Sequence, residues 1–272
     1  NKGGYGAGLY ATAGLVEDCI VYDCGDHLRP HLSTDDAGAG SVYTGYGSAI
    51  LRNMLVAGNV SEQDNVLIHT AGKLENVTVT GSVTPEGVAA AFCQPGNINQ
   101  SFCDAMMTNC VMWGNSGLDF EAKQGVYSNT TTSVVTTRDP KIGYCCWPDA
   151  EEDVDGNTAK DPKFRGGKNK DRGVISSRGS CFRVGVVLDW MTGATDILGN
   201  PFRPDYSTPS THLLYGYWVG ATPDGRKNGD YFSQGLTPSR LRRISSVSNV
   251  IKSLASLDNS TIAGNSVVNI IL

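Results

Sequence analysis

The sequence is poor in charge: Asp, Glu, Lys and Arg make up 18% of 272 residues. That is too few for a helical bundle, which needs a charged face on every helix. It has no basic excess either. Lys and Arg number 22 against 27 Asp and Glu, for a formal net charge of −5 and a pI near 5.3. The electrostatic footprint of a nucleic-acid binder is therefore missing. No run of about 18 apolar residues occurs, so no segment reads as a membrane-spanning helix. There is no Cys-x-x-Cys pair, which argues against a zinc site. Gly4, Gly6 and Gly8 imitate a nucleotide fingerprint but lack the helix and βαβ unit that would give one meaning. The acidic run Glu151–Asp155 lacks the spacing and terminal Glu of an EF-hand loop. No leader is visible, but the chain begins at Asn1. We read the N-terminus as truncated, so export stays open.

What the sequence has is glycine, 33 residues of it, and a phrase that returns four times. It reads Gly14-Leu-Val-Glu-Asp-Cys-Ile-Val-Tyr-Asp23, then Ala49-Ile-Leu-Arg-Asn-Met-Leu-Val-Ala-Gly-Asn59. It recurs as Gly72-Lys-Leu-Glu-Asn-Val-Thr-Val-Thr-Gly81 and Ala105-Met-Met-Thr-Asn-Cys-Val-Met-Trp-Gly-Asn115. Aligned on Asp18, Asn53, Asn76 and Asn109, the spacings are 53−18=35, 76−53=23 and 109−76=33. Periods of about 20–35 residues belong to stacked repeats. Leu74, Asn76 and Thr78 alternate with Glu75, Val77 and Val79, the two-residue period of a strand. A lone strand cannot bury its face, whereas stacking repeats pairs them in parallel over a continuous core. The recurrent Asn or Asp is expected to stack on its copy in the next repeat, to bond backbone at a bend, and to end the strand. Unrelated strands and turns of a β-sandwich are the alternative.

Eight cysteines, at 19, 24, 93, 103, 110, 145, 146 and 181, leave the redox compartment open. Cys19 and Cys110 follow the Asn/Asp position and read as small apolar groups pointing into the core. Cys145 and Cys146 are adjacent, a poor geometry for bonding each other. Cys93 and Cys103 both lie in a long excursion, residues 83–104, and could staple it. Asn129–Thr137 reads as an exposed strand with solvated hydroxyls. The sequons at Asn59, Asn76, Asn99, Asn129 and Asn259 read as by-products of Asn- and Thr-rich repeats.

The repeat resembles the right-handed parallel β-helix proteins of the pectin-lyase-like group, with Thr108-Asn-Cys-Val-Met-Trp-Gly-Asn115 its most specific phrase. Asn157–Phe164, Ser176–Gly185 and Thr195–Arg203 look like its closing phrases. The fold class this implies is mainly β: a right-handed parallel β-helix solenoid over residues 1–205, followed by a short C-terminal α/β segment over 206–272. Pro201, Pro204 and Pro209 punctuate the join.

The tail changes character. Val247, Val250, Ile251, Leu254 and Leu257 have helical spacing, and 267–272 closes as a strand. Gly220-Ala-Thr-Pro-Asp-Gly-Arg-Lys227, Gly235-Leu-Thr-Pro238 and Val250–Asp258 closely resemble glycyl radical enzymes of the pyruvate formate-lyase and glycerol dehydratase group. That resemblance implies part of an α/β barrel. It carries over no functional residue, because no cysteine follows Cys181 and no Arg-Val-x-Gly-Tyr-like loop is present. Some 65 residues cannot fill a barrel, so the tail is expected to pack poorly.

Three functions follow as expectations. The first is a secreted or surface module that binds polysaccharide or a cell-surface partner without cleaving it and needs no cofactor. The second is a glycyl radical enzyme fragment joined to the β-helix by fusion or misassembly, with a cytoplasmic context. The third is a polysaccharide lyase or hydrolase, in which the family chemistry needs an Arg or Lys base and carboxylates holding calcium. The candidate binding residues are Asp35, Asp36, Arg138, Asp139 and Lys141; none recurs at repeat spacing on one face. His27, Arg29 and His31 read as a solvated loop.

Overall fold

A computed structural model describes residues 8–22, 24, 41–45, 47–62, 64–98, 101–129, 133–164, 185–192, 194 and 212–213. The strands in the first three repeats are β1 (Leu9–Ala11), β2 (Leu15–Glu17), β3 (Ile20–Tyr22), β4 (Val42–Thr44), β5 (Ile50–Ala57), β6 (Leu67–His69), β7 (Gly72–Thr80) and β8 (Ala89–Cys93). Then come β9 (Asn97–Ile98), β10 (Ser101–Phe102), β11 (Ala105–Thr108), β12 (Val111–Trp113), β13 (Leu118–Ala122), β14 (Gly125–Asn129), β15 (Val134–Arg138) and β16 (Lys141–Gly143). The last are β17 (Gly185–Val186) and β18 (His212–Leu213).

Strands β1, β4, β6, β8 and β13 form one parallel sheet. Strands β2, β5, β7, β11 and β16 form a second, in which β3 also pairs with β5 and β12 with β7. The chain alternates between the two sheets, and one apolar core lies between them. Leu9, Val42, Leu67 and Ala91 supply it from the first sheet, and Leu51, Met54, Leu74 and Val77 from the second.

The repeated phrase is not a flat strand of unbroken alternation. Asp18, Asn53, Asn76 and Asn109 all have left-handed backbones, with φ of 55, 53, 57 and 56°. Asn and Asp tolerate that region better than other side chains that carry a Cβ. The left-handed residue resets the phase, so the core takes Leu51 then Met54 and Val56, Leu74 then Val77 and Val79, and Met107 then Cys110 and Met112. Leu74 and Thr78 thus do not share a face with Asn76 between them. In β5 and β7 the strand runs through the bend; in the first and fourth copies it ends there.

The stacking of the recurrent side chains is present in part. Asn53 Nδ2 donates to Asp18 Oδ1, and Asn76 Nδ2 donates to Asn53 Oδ1 at 3.3 Å. Burial, opposed by the Asn53 hydrogen bond, raises the Asp18 carboxyl above its ordinary value. The series stops at Asn109, whose amide turns to β17. It donates to the Val186 carbonyl at 2.7 Å and accepts the Val186 N–H at 2.9 Å. Asn76 Oδ1 is left buried without a hydrogen bond.

The expected fold class is corrected. Among the described residues there is no α-helix, only the 3-10 turns Val154–Gly156 and Asp189–Met191, and no α/β segment. Among the described residues the parallel strands do not make a regular solenoid. Among the described residues the last parallel pairing is the bridge Cys146–Thr158, and β17 pairs with β18 antiparallel. Antiparallel pairs β9–β10 and β14–β15 interrupt the parallel ladders. The physical reason is the unequal length of the excursions: repeats 23 to 35 residues apart leave connections long enough to fold back on themselves. The architecture is a parallel-sheet β fold with antiparallel excursions. The tail phrases from Gly220 to Asp258, and the helix and packing expected there, lie outside the described residues.

The cysteines divide as their strand positions dictate. Cys145 joins the main core while Cys146 packs with Val111 on the other face, so the adjacent thiols point apart. Cys110 is fully buried, and Cys19 is half-buried against the core, its thiol pushed up to about 11 chiefly by burial. Cys93 and Cys103 are both free, so the proposed staple is not formed. Thiol titration in denaturant should find both reduced; a mass corresponding to a Cys93–Cys103 bond would contradict this structure.

Candidate functional site

The segment running from β14 into β16 carries three of the five candidate residues. The chain leaves the body at Gly125, whose backbone lies so close to Pro95 that any Cβ would strike its carbonyl oxygen. It then runs out along β14 and back along β15, with Tyr127 opposite Thr136. Arg138 ends β15, Pro140 breaks the pairing, and Lys141 opens β16 beside Met106 of β11. This path places both cations next to Asp104, the residue before β11.

Arg138 Nη1 donates to Asp104 Oδ1 at 2.7 Å, and Lys141 Nζ donates to Oδ2 at 2.9 Å. The two carboxylate oxygens thus hold one cation each. The Lys141 hydrogen bond, followed by that of Arg138, holds the Asp104 carboxyl below its usual range. All three side chains are substantially exposed, so the pairs are screened by water. The Arg138 guanidinium also lies 5.4 Å from the centre of the Phe102 ring, which meets Tyr127 edge to face at 6.4 Å. Asp139 does not join the Asp104 cluster; its Oδ1 accepts from Gln124 Nε2 at 3.0 Å. Asp35 and Asp36 lie outside the described residues. Among the described residues no group of three His, Cys, Asp or Glu side chains is placed to hold a metal ion.

Sequence reading missed Asp104, Phe102 and Tyr127. A signal for Asp104 existed. It precedes Arg138 and Lys141 by 34 and 37 residues, close to one repeat. Glu17 and Arg52, paired at 2.6 Å, are likewise 35 apart. A search for like residues recurring at repeat spacing overlooks opposite charges that recur there, yet parallel neighbours bring them together.

No protein family matches the chain, and no solved structure matches it. No helix among the described residues is long and apolar enough to cross a membrane.

Chemically, the cluster offers donors, one acceptor carboxylate and two aromatic edges on an open surface. Both cations are committed as hydrogen-bond donors to Asp104. The arrangement suits a ligand with several hydroxyl or carboxylate oxygens next to a weakly apolar ring face.

Proposed function

We propose that the chain is a non-catalytic module that binds polysaccharide through the face formed by Phe102, Asp104, Tyr127, Arg138 and Lys141. The observation that supports this reading is the convergence of Arg138 and Lys141 on Asp104 while Arg138 lies over Phe102. Sugar hydroxyls both donate and accept, so a paired carboxylate and guanidinium can serve two of them at once. The C–H face of a pyranose fits beside an aromatic ring. On this reading the module works outside the cell or at its surface, where polysaccharide is met.

The test is affinity electrophoresis of the full chain through neutral glucan and through polygalacturonate. Retardation by one of them, lost about tenfold in Asp104→Ala, is the expected result. The same substitution should change unfolding free energy by no more than about 1 kcal/mol, because the pairs are exposed. An unretarded wild-type chain, or an Asp104→Ala variant retarded equally, would overturn the reading.

A further inference from the structure

Among the described residues strand β15 is an open edge. All five of its residues are exposed, Val134 at 54% and Val135 at 60%, and among the described residues its only partner is β14. On β14, Val126 is exposed to the same extent, 60%, and shares a face with Val135 because Val126 pairs with Thr137 two positions on. A two-stranded antiparallel pair is marginal alone in water; three or more strands are needed for independent stability. Proteins blunt such edges with Lys, Pro or a bulge. Strand β15 holds no Lys, Pro or bulge; its one charge, Arg138, is held by Asp104, and the residues of Val134-Val-Thr-Thr137 all favour strands.

We infer that β15 pairs antiparallel with β15 of a second copy of this chain, giving a four-stranded sheet about a two-fold axis at Thr136. That register uses all five residues of the strand. It sets Val134 against Arg138 of the other copy and never Arg138 against Arg138, and the charge of Arg138 is already matched by Asp104. The contact is self-complementary, so this two-fold pairing closes at two copies. The inference stands apart from the polysaccharide reading, since the edge that pairs is backbone.

Sedimentation of the full chain over a range of concentrations tests this. The wild-type chain should pass from monomer to dimer as concentration rises. Thr136→Lys places like charges directly opposite each other and should weaken the dimer about tenfold or more, with an unchanged circular dichroism spectrum. Mixing Thr136→Lys with Thr136→Glu should restore association, which a misfolded variant could not do. A wild-type chain that stays monomeric throughout, a Thr136→Lys dimer as tight as wild type, or a mixture that fails to associate would each overturn the inference.

Discussion

Replacing Asn59 with alanine is expected to destabilise the fold by about 2–5 kcal/mol, the cost of leaving two buried backbone groups without partners. Asn59 is fully buried. Its Nδ2 donates to the Val21 carbonyl at 3.0 Å, and its Oδ1 accepts the Cys24 N–H at 2.9 Å. These two groups lie at the end of β3, where the Asn59 amide bonds both of them. A carboxamide carries one C=O and one N–H in nearly the layout of a peptide group, so a single side chain completes the ladder. Asp at this site is expected to be worse than Ala. It would set a buried carboxylate oxygen against the Val21 carbonyl, adding repulsion to the lost bond. Urea unfolding of the three chains measures the order. A loss under 1 kcal/mol for Asn59→Ala would show that water replaces the amide.

The same device recurs, which gives the prediction its generality. Asn115 bonds the Val79 carbonyl at 3.2 Å and the Ser82 N–H at 3.0 Å. Asn157 bonds the Ile142 carbonyl at 3.1 Å and the Cys145 N–H at 2.9 Å. In each case the side chain reaches a carbonyl and an N–H three residues apart across one turn. Each of these asparagines follows a glycine, Gly58, Gly114 or Gly156, with φ of 64, 73 or 73°. The left-handed glycine turns the chain so that the next side chain points back at the preceding repeat.

The sequence made the positions of Asp18, Asn53, Asn76 and Asn109 legible because few residue types accept a left-handed bend, so the phrase had to keep Asn or Asp there. It hid what the bend does. Counting alternate residues through Asn76 puts Val77 and Leu74 on opposite faces, whereas the turn brings both into the core. It also hid Asn109, which matches its copies in type and backbone but bonds Val186, 77 residues later. No local pattern announces a partner at that distance. The fold class was overdrawn for a related reason. A recurring phrase specifies its own strand and bend, but not whether the variable connections become further parallel strands or, as at β14–β15, antiparallel pairs. At the candidate site, Arg138 and Lys141 were visible as cations. Their shared partner was not, because Asp104 belongs to the preceding repeat.

Acid should begin to destabilise the protein above the ordinary carboxylate range, and His69 is the expected cause. The ring is fully buried between the two sheets. Its Nε2 faces the Met106 carbonyl at 3.1 Å and must carry the proton, since a carbonyl can only accept. Nδ1 then accepts the Thr44 hydroxyl at 2.6 Å, and the neutral imidazole is satisfied at both nitrogens. Burial lowers its pKa from 6.5 to about 4, against the opposing pull of the Met106 and Gly72 carbonyls. Above pH 6.5 both folded and unfolded chains hold His69 neutral, and its contribution to stability is complete. As pH falls below 6.5 the unfolded chain takes up a proton that the folded chain refuses until about pH 4. Stability is lost across that window, at up to about 1.4 kcal/mol per pH unit and about 3 kcal/mol in all. Asp18 works in the other direction, because its raised pKa favours proton uptake by the folded chain. Asp104 and Glu152 are both lowered, so what they contribute is lost only as pH falls below the ordinary carboxylate values, beneath the upper part of the window. Urea midpoints measured from neutral pH down to about pH 4.5 should fall for the wild-type chain and stay nearly level for His69→Gln, which retains a donor for Met106 but cannot titrate. Equal slopes in the two proteins would place the acid sensitivity elsewhere, and a level wild-type curve would mean that the ring is open to water.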